Sequence, residues 1–349
     1  MYIRPIQRTD LDSLCLMAKH SGVGVTSLPD NRQKMAAKLD QALASFDKSL
    51  PLSDRVYLFA LVDEGSTELA GICALESSIG HGDVWYNYHV GKSVHASREI
   101  GVHKVTQTLY LSNDLTGCSE IATLFLMPDY RNNQNGQLLS RSRYLFLADF
   151  RELFGEEIIA EMRGYSDADG NSPFWESLGR HFFQMEFSDA DYLTGLGNKV
   201  FIAELMPKFP IHVPMLTEAA QAVIGTVHPQ TEPALAMLKS EGFEFNHYVD
   251  IFDGGPSVGI KIKNIRAVRE SKVYRVGISD QTPAPDLSAK HGLLMVSNRE
   301  LADYRVLLVH QGAAGEDPLW LNSAPAPILN VSEGDTVRAV SLRPKELSV

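Results

Sequence analysis

"TLFLMPDYRNNQNGQLLSRSRYLF", residues Thr123–Phe146, combines an apolar run, a turn crowded with amide side chains and a segment with helical spacing. The pattern predicts a strand, a loop and a helix that begins at about Gly136. The unpaired N–H groups and the positive dipole end at the start of a helix suit a phosphate. Phosphate loops are usually rich in glycine, however, and this loop contains only Gly136. From these residues alone, a phosphate site and an ordinary polar helix start are equally good interpretations.

The composition limits the classes of partner. The 349 residues are 44% hydrophobic and 21% charged, which is typical of a soluble chain with one large domain or two smaller ones. The formal net charge of −11 argues against a nucleic acid partner, because phosphate backbones need clustered Lys and Arg. No run approaches the roughly 18 apolar residues of a membrane helix, so we expect no membrane partner.

The cysteines and the amino terminus bear on the compartment. Cys15, Cys73 and Cys118 are far apart in sequence and form no CxxC or Cys/His zinc spacing. An odd number of isolated cysteines predicts a reducing compartment and no metal site. The first residues lack the apolar region of a signal peptide. We therefore expect the protein in the cytoplasm.

Hydrophobic periodicity predicts an α/β chain over residues 1–256. Two hairpins are expected, 55–63 with 68–79 and 107–114 with 119–128. The other predicted strands are 1–7, 156–164, 198–205 and 246–254, and the predicted helices are 8–22, 31–50, 136–154, 172–183, 217–225 and 231–243.

The pattern changes after "DGGP", where short β-rich runs separated by polar turns predict a small β domain over 257–349. The expected division is therefore an acyltransferase-like α/β domain over 1–256, as argued next, followed by a β-rich domain. Two helix–Gly–strand patterns, at 174–187 and 236–252, resemble each other. They leave open a second, similar half within the first domain, around 198–256.

The loop in its context resembles the GCN5-related N-acetyltransferase superfamily, whose motif is Arg/Gln-x-x-Gly-x-Gly/Ala. Arg131 and Gly136 match this motif, whereas Gln134 replaces its first glycine. The resemblance implies an α/β (α+β) fold, a mixed sheet flanked by helices that binds acyl-CoA. It also implies that the strand at 123–126, with Leu124 and Leu126, splays from the strand at 158–162 and binds the pantetheine arm. The amides of the loop from Arg131 to Leu138 would then bind the pyrophosphate, with Arg131, Gln134, Asn135, Gly136 and Gln137 as the cofactor-binding residues.

A closer resemblance, to the arginine N-succinyltransferase family, rests on many short tags in order along the chain. The family transfers succinyl from succinyl-CoA to the α-amino group of L-arginine, the first step of a pathway of arginine catabolism. The resemblance implies these two substrates and no permanently bound cofactor. The tags are "SLPDN", "GICALE", "WYNYHVG", "VHAS", "LSND", "TLFL", "NGQLLSRSR", "AEMRG", "SPFWESLG", "FIAELMPK", "VIGTVHPQTEPA" and "YVDIFDGGP".

His228, in "GTVHPQT", is the candidate catalytic residue. Acyl transfer to an amine needs a proton for the departing thiolate, and a histidine both gives and takes protons near neutral pH. Many members of the superfamily use a Tyr in their last helix, but the matching position here is Trp175, which is not a practical acid. His228 also matches the histidine regarded as the proton donor in the succinyltransferase family.

Other polar residues are weaker candidates. His89 and His95 are expected to be strand or turn histidines, and Cys118 a packed thiol. Glu120 begins the strand that the resemblance implies is splayed, where some acetyltransferases have a base that acts through water. A solvated glutamate at the strand edge is the favoured interpretation, and the base role stays open. Strict alternation would place Glu120 on one face of its strand with Ala122, Leu124 and Leu126. The guanidinium of arginine could pair with Asp114, Glu161, Asp250 or Asp253, and the succinyl carboxylate with Arg163 or Arg141.

Two groups of alternatives remain open at this point. Within enzymes, the amine could be ornithine or the donor acetyl-CoA. Outside enzymes, the chain could be a non-catalytic acyl-CoA-binding subunit. A homo-oligomer, such as a dimer, or an assembly with a similar subunit is expected.

Overall fold

A computed structural model describes residues 1–21, 27–65, 68–195, 200–281, 286, 292–310 and 317–344. Its strands form one mixed sheet in the order β14-β11-β15-β12-β13-β1-β2-β3-β6-β7-β10-β9-β4-β5-β8. The strands are β1 Tyr2–Pro5, β2 Val56–Val62, β3 Leu69–Glu76, β4 Asn87–Ser97, β5 Val102–Ser112, β6 Ser119–Leu126, β7 Glu157–Glu161, β8 Ile211–His212, β9 Glu244–Val249, β10 Pro256–Lys261, β11 Lys272–Ile278, β12 Leu293–Ser297, β13 Val306–His310, β14 Leu319–Leu321 and β15 Thr336–Ser341.

Helices cover both faces of this sheet, so the predicted α/β architecture, a mixed sheet flanked by helices, is confirmed. Asn31 begins α2 by accepting a hydrogen bond from the Lys34 N–H with its side chain, at 3.1 Å. The helices are α1 Leu11–Ser21, α2 Arg32–Phe46, α3 Asn135–Asp149, α4 Arg180–Phe183, α5 Phe187–Gly195, α6 Val200–Leu205, α7 Glu218–Val223, α8 Glu232–Ser240, α9 Arg266–Glu270 and α10 Pro325–Leu329.

Two apolar layers sandwich the central strands. On one face, α1 and α2 bury Leu14, Met17 and Leu39 against β2 and β3. On the other face, the central part of α3 is buried, and Phe146 packs among Phe59 and other aromatic rings. Each buried side chain of this size contributes about 1.5–3 kcal/mol to the free energy of folding, and together these side chains hold α3 against the middle of the sheet.

A bulge in β6 overturns the alternation expected for this strand. Thr123 has φ +48°, and the ladder with β3 shifts register between Ile72 and Ala74. As a result, Ala122 packs toward α1 and α2, whereas Leu124 packs toward α3. The prediction that both residues share a face was therefore wrong, because a bulge adds one residue to the strand and reverses the faces of those that follow.

The predicted second hairpin was also wrong in its pairing. β5 pairs with β4 along all of its length, from Val102 opposite Ser97 to Ser112 opposite Asn87. The sequence prediction missed β4, whose outer half is exposed and polar. β6 instead lies in the centre of the sheet, between β3 and β7, where its mostly apolar side chains are covered on both faces.

Residues 198–205 were predicted as a strand, but Val200–Leu205 forms the helix α6. Ile202 and Met206 are both buried, four residues apart, which is the spacing of one helical face. The two helix–Gly–strand patterns also differ in the structure. Gly179 lies inside a continuous helical segment, whereas Gly242, with φ +102°, follows the end of α8.

The β-rich runs after residue 256 form strands as predicted. The first of them, β10, pairs with β7 and β9 and so lies beside the strands that precede it in the chain. The later strands join the sheet through Ile3 of β1, which pairs with Val306 of β13. The stretch "SDQTPAPDLSAKHG", residues 279–292, which the sequence predicts as a loop, lies mostly outside the described residues. Within the described part of the chain, no helix has the length and hydropathy needed to cross a membrane.

Candidate active site

β6 and β7 run parallel but pair at one end only. Ser119 lies opposite Ile158 and Glu120 opposite Ile159, and there the ladder ends. Beyond these residues no ladder pairs the described residues of the two strands. We call the region between Leu124 and Leu126 of β6 and the carboxyl end of β7 the gap. A ladder that ends early agrees with the splayed pair that the superfamily resemblance implies.

The loop after β6 contains two successive left-handed residues, neither of which is a glycine. Asn133 and Gln134 both have left-handed conformations, with φ +48° and φ +66°. Gln134 stands where the superfamily motif has its first glycine, the residue type that adopts this conformation most easily. The left-handed region costs another residue roughly 1–2 kcal/mol, so Gln134 must be held in place by other contacts.

The polar side chains of the loop are turned aside into hydrogen bonds. Asn135 is buried and donates from Nδ2 to the carbonyl of Tyr130, at 3.0 Å. Gln137 donates from Nε2 to Oε1 of Gln134, at 2.7 Å. Arg131 donates from Nε to the carbonyl of Leu126, at 3.1 Å, and ties the loop back to β6. These contacts turn the side chains into bonds within the protein, while the N–H groups of Arg131, Asn132 and Asn135 donate to nearby carbonyls.

Gly136 lies in the first turn of α3, where amides have no helical carbonyl to bond. A Cβ added at this glycine would meet nothing closer than Leu126 Cδ2, at 3.7 Å. Packing within the protein therefore does not require a glycine here. The open space at Gly136 fits a ligand that approaches the amides closely.

His228 lies at the carboxyl end of β7. The backbone N–H of His228 donates to the carbonyl of Arg163, at 2.9 Å, and Val227 forms an antiparallel bridge with Gly164. The backbone N–H of Met162, the residue before Arg163, donates to the carbonyl of Pro256 in β10. Successive residues of a strand direct their backbone groups to opposite edges, so His228 lies on the edge that faces the gap.

The environment of His228 favours a neutral ring with its proton on Nε2. The N–H of Gln230 donates to Nδ1, at 3.2 Å, which leaves Nε2 as the nitrogen that carries hydrogen in the neutral form. Burial lowers the pKa of His228 below its ordinary value of 6.5, and the positive charge of Arg163 lowers it further. The half-buried ring is thus a hydrogen-bond donor at neutral pH.

The "DGGP" turn supports this end of β7. Asp253 accepts the N–H groups of Gly164 and Gly255, at 2.6 and 2.8 Å. A Cβ on Gly255 would lie 2.2 Å from the Met162 carbonyl, so only glycine fits there. Burial raises the pKa of Asp253 well above its usual range, and the charge of Asp250 adds to the rise. Asp253 is therefore occupied in fixing the backbone rather than in binding a guanidinium.

The other candidates have structural partners. Tyr248 donates to Asp114, at 3.0 Å, and its ring packs on that of His89. Glu161 accepts bonds from Trp85 and Asn87, at 2.9 and 2.6 Å, beside the gap. The remaining candidates also contact other parts of the protein. His95 packs on His212, Asp250 accepts the N–H groups of Phe252 and Asp253, and Arg141 pairs with Glu241. Cys118 is partly buried, which raises its pKa, and Trp175 is buried in an apolar cluster.

One contact at the bulge was missed from the sequence. Lys38 of α2 donates from Nζ to Thr123 Oγ1 and to the Ser27 carbonyl, both at 3.0 Å. Burial lowers the pKa of Lys38, and the charges of Glu76 and Glu120 oppose the change. Nothing in the sequence indicated this contact, because it depends on the bulge that displaces Thr123.

Comparisons with known proteins agree with this geometry. The family model described as "Arginine N-succinyltransferase beta subunit" matches residues 1–267, and the model of its C-terminal domain matches 283–341. The chain belongs to the arginine N-succinyltransferase family. It is accordingly an acyltransferase, and an enzyme of arginine metabolism.

The similarity to curated relatives and to a solved structure covers nearly the whole of this member of the arginine N-succinyltransferase family. Arginine N-succinyltransferase of Enterobacter sp. (strain 638) is 48% identical, over 99% of both chains. The same enzyme of Escherichia fergusonii is 47% identical, also over 99% of both. The solved arginine/ornithine succinyltransferase subunit AI of Pseudomonas aeruginosa has a TM-score of 0.89 and 34% identity, over 98% of this chain and 99% of that one.

Among the described residues, no group of three or more His, Cys, Asp or Glu side chains has an arrangement that would hold a metal ion. The groups around the gap are the backbone amides at the start of α3, the neutral ring of His228 and the guanidinium of Arg163 beside it. Such a set is suited to binding a phosphorylated thioester and to moving a proton.

Proposed function

We propose that the chain transfers the succinyl group of succinyl-CoA to the α-amino group of L-arginine, giving N2-succinyl-L-arginine and CoA, as the first step of arginine degradation. The splayed pair β6 and β7 carries this proposal. Because the strands are parallel, the loop after Leu126 and the His228 segment after β7 both lie at the carboxyl end, where the strands are apart. A thioester in the gap would have phosphate-binding amides and a proton donor at the same end.

Binding would follow from the backbone. The free edge of β6 at Leu124 and Leu126 would hydrogen-bond the pantetheine arm, as a strand bonds its neighbour. The N–H groups of Arg131, Asn132 and Asn135 donate to carbonyls of the protein. The other amides between Asn133 and Gln137, with Gly136 at the closest approach, would therefore bind the pyrophosphate. Succinyl-CoA is a co-substrate in this scheme, and no permanently bound cofactor or metal is needed.

The reaction would proceed by direct attack of the neutral amine on the thioester carbonyl. The C–N bond forms, the C–S bond breaks, and the electron pair of that bond passes to sulfur. The neutral His228 ring takes up the proton that the attacking nitrogen loses, and the imidazolium formed in this way donates its Nε2–H to the sulfur, which returns the ring to its neutral form. Donors at the β6 edge would stabilise the negative charge on the carbonyl oxygen. No covalent acyl-enzyme is required.

The direct test is turnover of the purified protein with each pair of substrates, followed by release of the CoA thiol. We expect succinyl-CoA with L-arginine to give the highest kcat/KM among succinyl-CoA or acetyl-CoA combined with arginine or ornithine. Faster turnover of acetyl-CoA than of succinyl-CoA would contradict the proposed donor.

Ornithine and a second subunit remain alternatives because the Pseudomonas aeruginosa relative is a subunit of an arginine/ornithine succinyltransferase. A non-catalytic acyl-CoA-binding subunit would bind CoA without releasing thiol. We also propose a homodimer, or an assembly with a similar chain, which light scattering on the purified protein tests. The three cysteines are free thiols, which fits a reducing compartment such as the cytoplasm.

A further inference from the structure

The carboxyl-terminal segment contacts the proposed phosphate loop through one arginine. Arg343 donates from Nη2 to Oε1 of Gln134, at 3.0 Å, and from Nε to Oε1 of Gln137, at 3.1 Å. The same two glutamines are joined to each other. The guanidinium therefore bonds the side chain of the left-handed residue that replaces the glycine of the motif, and that of a residue in the first turn of α3.

Two buried arginines hold this segment in place. Arg266 donates to the carbonyl of Ser341, at 2.9 Å, and Arg141 donates to the carbonyl of Leu342. Both arginines pair with Glu241, which is 0% exposed, at 2.5 and 3.1 Å. Since the bonds are buried and charge-assisted, they fix the backbone just before Arg343 more firmly than surface contacts would.

Among the described residues, the guanidinium of Arg343 contacts the loop and has no carboxylate partner. Within the described part of the chain, the ion pairs include no carboxylate partner for Arg343, and its side-chain bonds go to neutral amide oxygens. Arg131 likewise bonds a neutral carbonyl, that of Leu126. Two half- or fully exposed guanidinium groups thus lie beside the start of α3, where they add to the positive end of the helix dipole.

We propose that Arg343 is a positioning residue for acyl-CoA, so that the β-rich part of the chain completes the phosphate site. The proposal rests on the proposed function of the loop. Arg343 holds the Gln134 side chain away from the backbone face and stabilises its left-handed conformation. It shares the Gln137 side chain with Arg141, which donates from Nη1 to the same Oε1, at 3.0 Å. Its charge also attracts the phosphates.

The test compares Arg343→Gln and Arg343→Lys with the wild-type enzyme. We expect Arg343→Gln to raise the KM for succinyl-CoA about tenfold, the effect of losing a charge-assisted contact. The kcat and the KM for arginine should stay within about twofold. Arg343→Lys keeps the charge but not the fork, so its KM should be intermediate. Arg275→Gln is the control, because the exposed Arg275 pairs with Asp317 inside the β-rich part, at 3.2 Å.

A phosphate-free donor separates positioning from general destabilisation. With succinyl-pantetheine, wild-type enzyme and Arg343→Gln should have equal kcat/KM. An equal loss with both donors would overturn the proposal, as would an unchanged KM for succinyl-CoA. Gly136→Ala distinguishes the two levels of inference. If it raises the KM for succinyl-CoA and Arg343→Gln does not, the loop stands and the role of Arg343 fails. If neither variant raises it, the phosphate loop itself is wrong.

Discussion

The loop after β6 and the histidine segment after β7 build the two sides of the gap in different ways. The loop presents backbone amides and turns its side chains aside, with Gln134 and Asn135 bonded elsewhere. The second segment fixes its backbone, through the Arg163 carbonyl, in order to present one side chain, that of His228. The difference predicts opposite sensitivities. The loop should be disrupted by an added Cβ at Gly136 and should depend on its side chains only where they fix the backbone, as at Gln134, whereas the histidine segment should depend on a single imidazole.

Removing the imidazole should produce the largest effect on catalysis. We expect His228→Ala to lower kcat by about 10²–10⁴-fold, the usual contribution of acid–base catalysis, with CoA binding little changed. Single-turnover thiol release and CoA titration measure the two quantities. His89→Ala is the matched control, since that histidine packs on Tyr248 in β9, and it should retain turnover. Full activity of His228→Ala at every pH would remove His228 from the mechanism.

The two sides share a support, which a second substitution should break. Glu241, just after α8, pairs with Arg141 of α3 and with Arg266. Glu241→Gln leaves two buried guanidinium groups without their carboxylate, so we expect the free energy of unfolding to fall by about 3–5 kcal/mol. Chemical denaturation measures the change. Glu270→Gln, which removes a more exposed partner of Arg266, should cost less than about 1 kcal/mol. Similar values for both variants would contradict the structural role of Glu241.

Adding a methyl group to the loop sharpens the comparison. Gly136→Ala should raise the KM for succinyl-CoA roughly tenfold, because the Cβ occupies the space in front of the amides. The melting temperature should hold or rise, since alanine is the better helix former by about 1 kcal/mol. Gly82→Ala, where a Cβ meets nothing within 4 Å, is the control. A loss of stability without a change in KM would show that Gly136 serves packing.

The smallest expected effect is on pH dependence. Since the charge of Arg163 lowers the pKa of His228, Arg163→Gln should raise that pKa toward its ordinary value of 6.5. With a higher pKa, the ring becomes protonated at a higher pH when the solution is acidified. The acid limb of the kcat/KM profile should therefore move to higher pH. Arg163→Lys keeps the positive charge and should leave the limb near its wild-type position. A limb that moves equally in both variants would assign it to another group.

The sequence predicted the features that depend on local pattern. The strand–loop–helix at 123–146 and the β-rich runs after residue 256 were visible in it. His228 was selected through the family resemblance, and its catalytic role stays a prediction. Features that depend on long-range contact were not. The bulge at Thr123 and its contact with Lys38 join residues 85 positions apart. The pairing of β5 with β4 was missed because a neighbouring apolar run, β6, seemed the nearer partner. A short and mostly apolar segment, Val200–Leu205, fits a helix or a strand equally well until its neighbours are known.

The pairing of β1 with β13 affects how the protein can be divided. Tyr304, just before β13, packs on Phe146 with ring centroids 5.0 Å apart and donates to the Ser142 carbonyl of α3, at 2.9 Å. Cutting the chain after α9 would strip these contacts and expose β1 as an unprotected edge strand, a surface that recruits other chains. A truncated enzyme should therefore aggregate rather than remain as a smaller active unit, and proteolytic nicking between α9 and β12 should leave the two fragments associated.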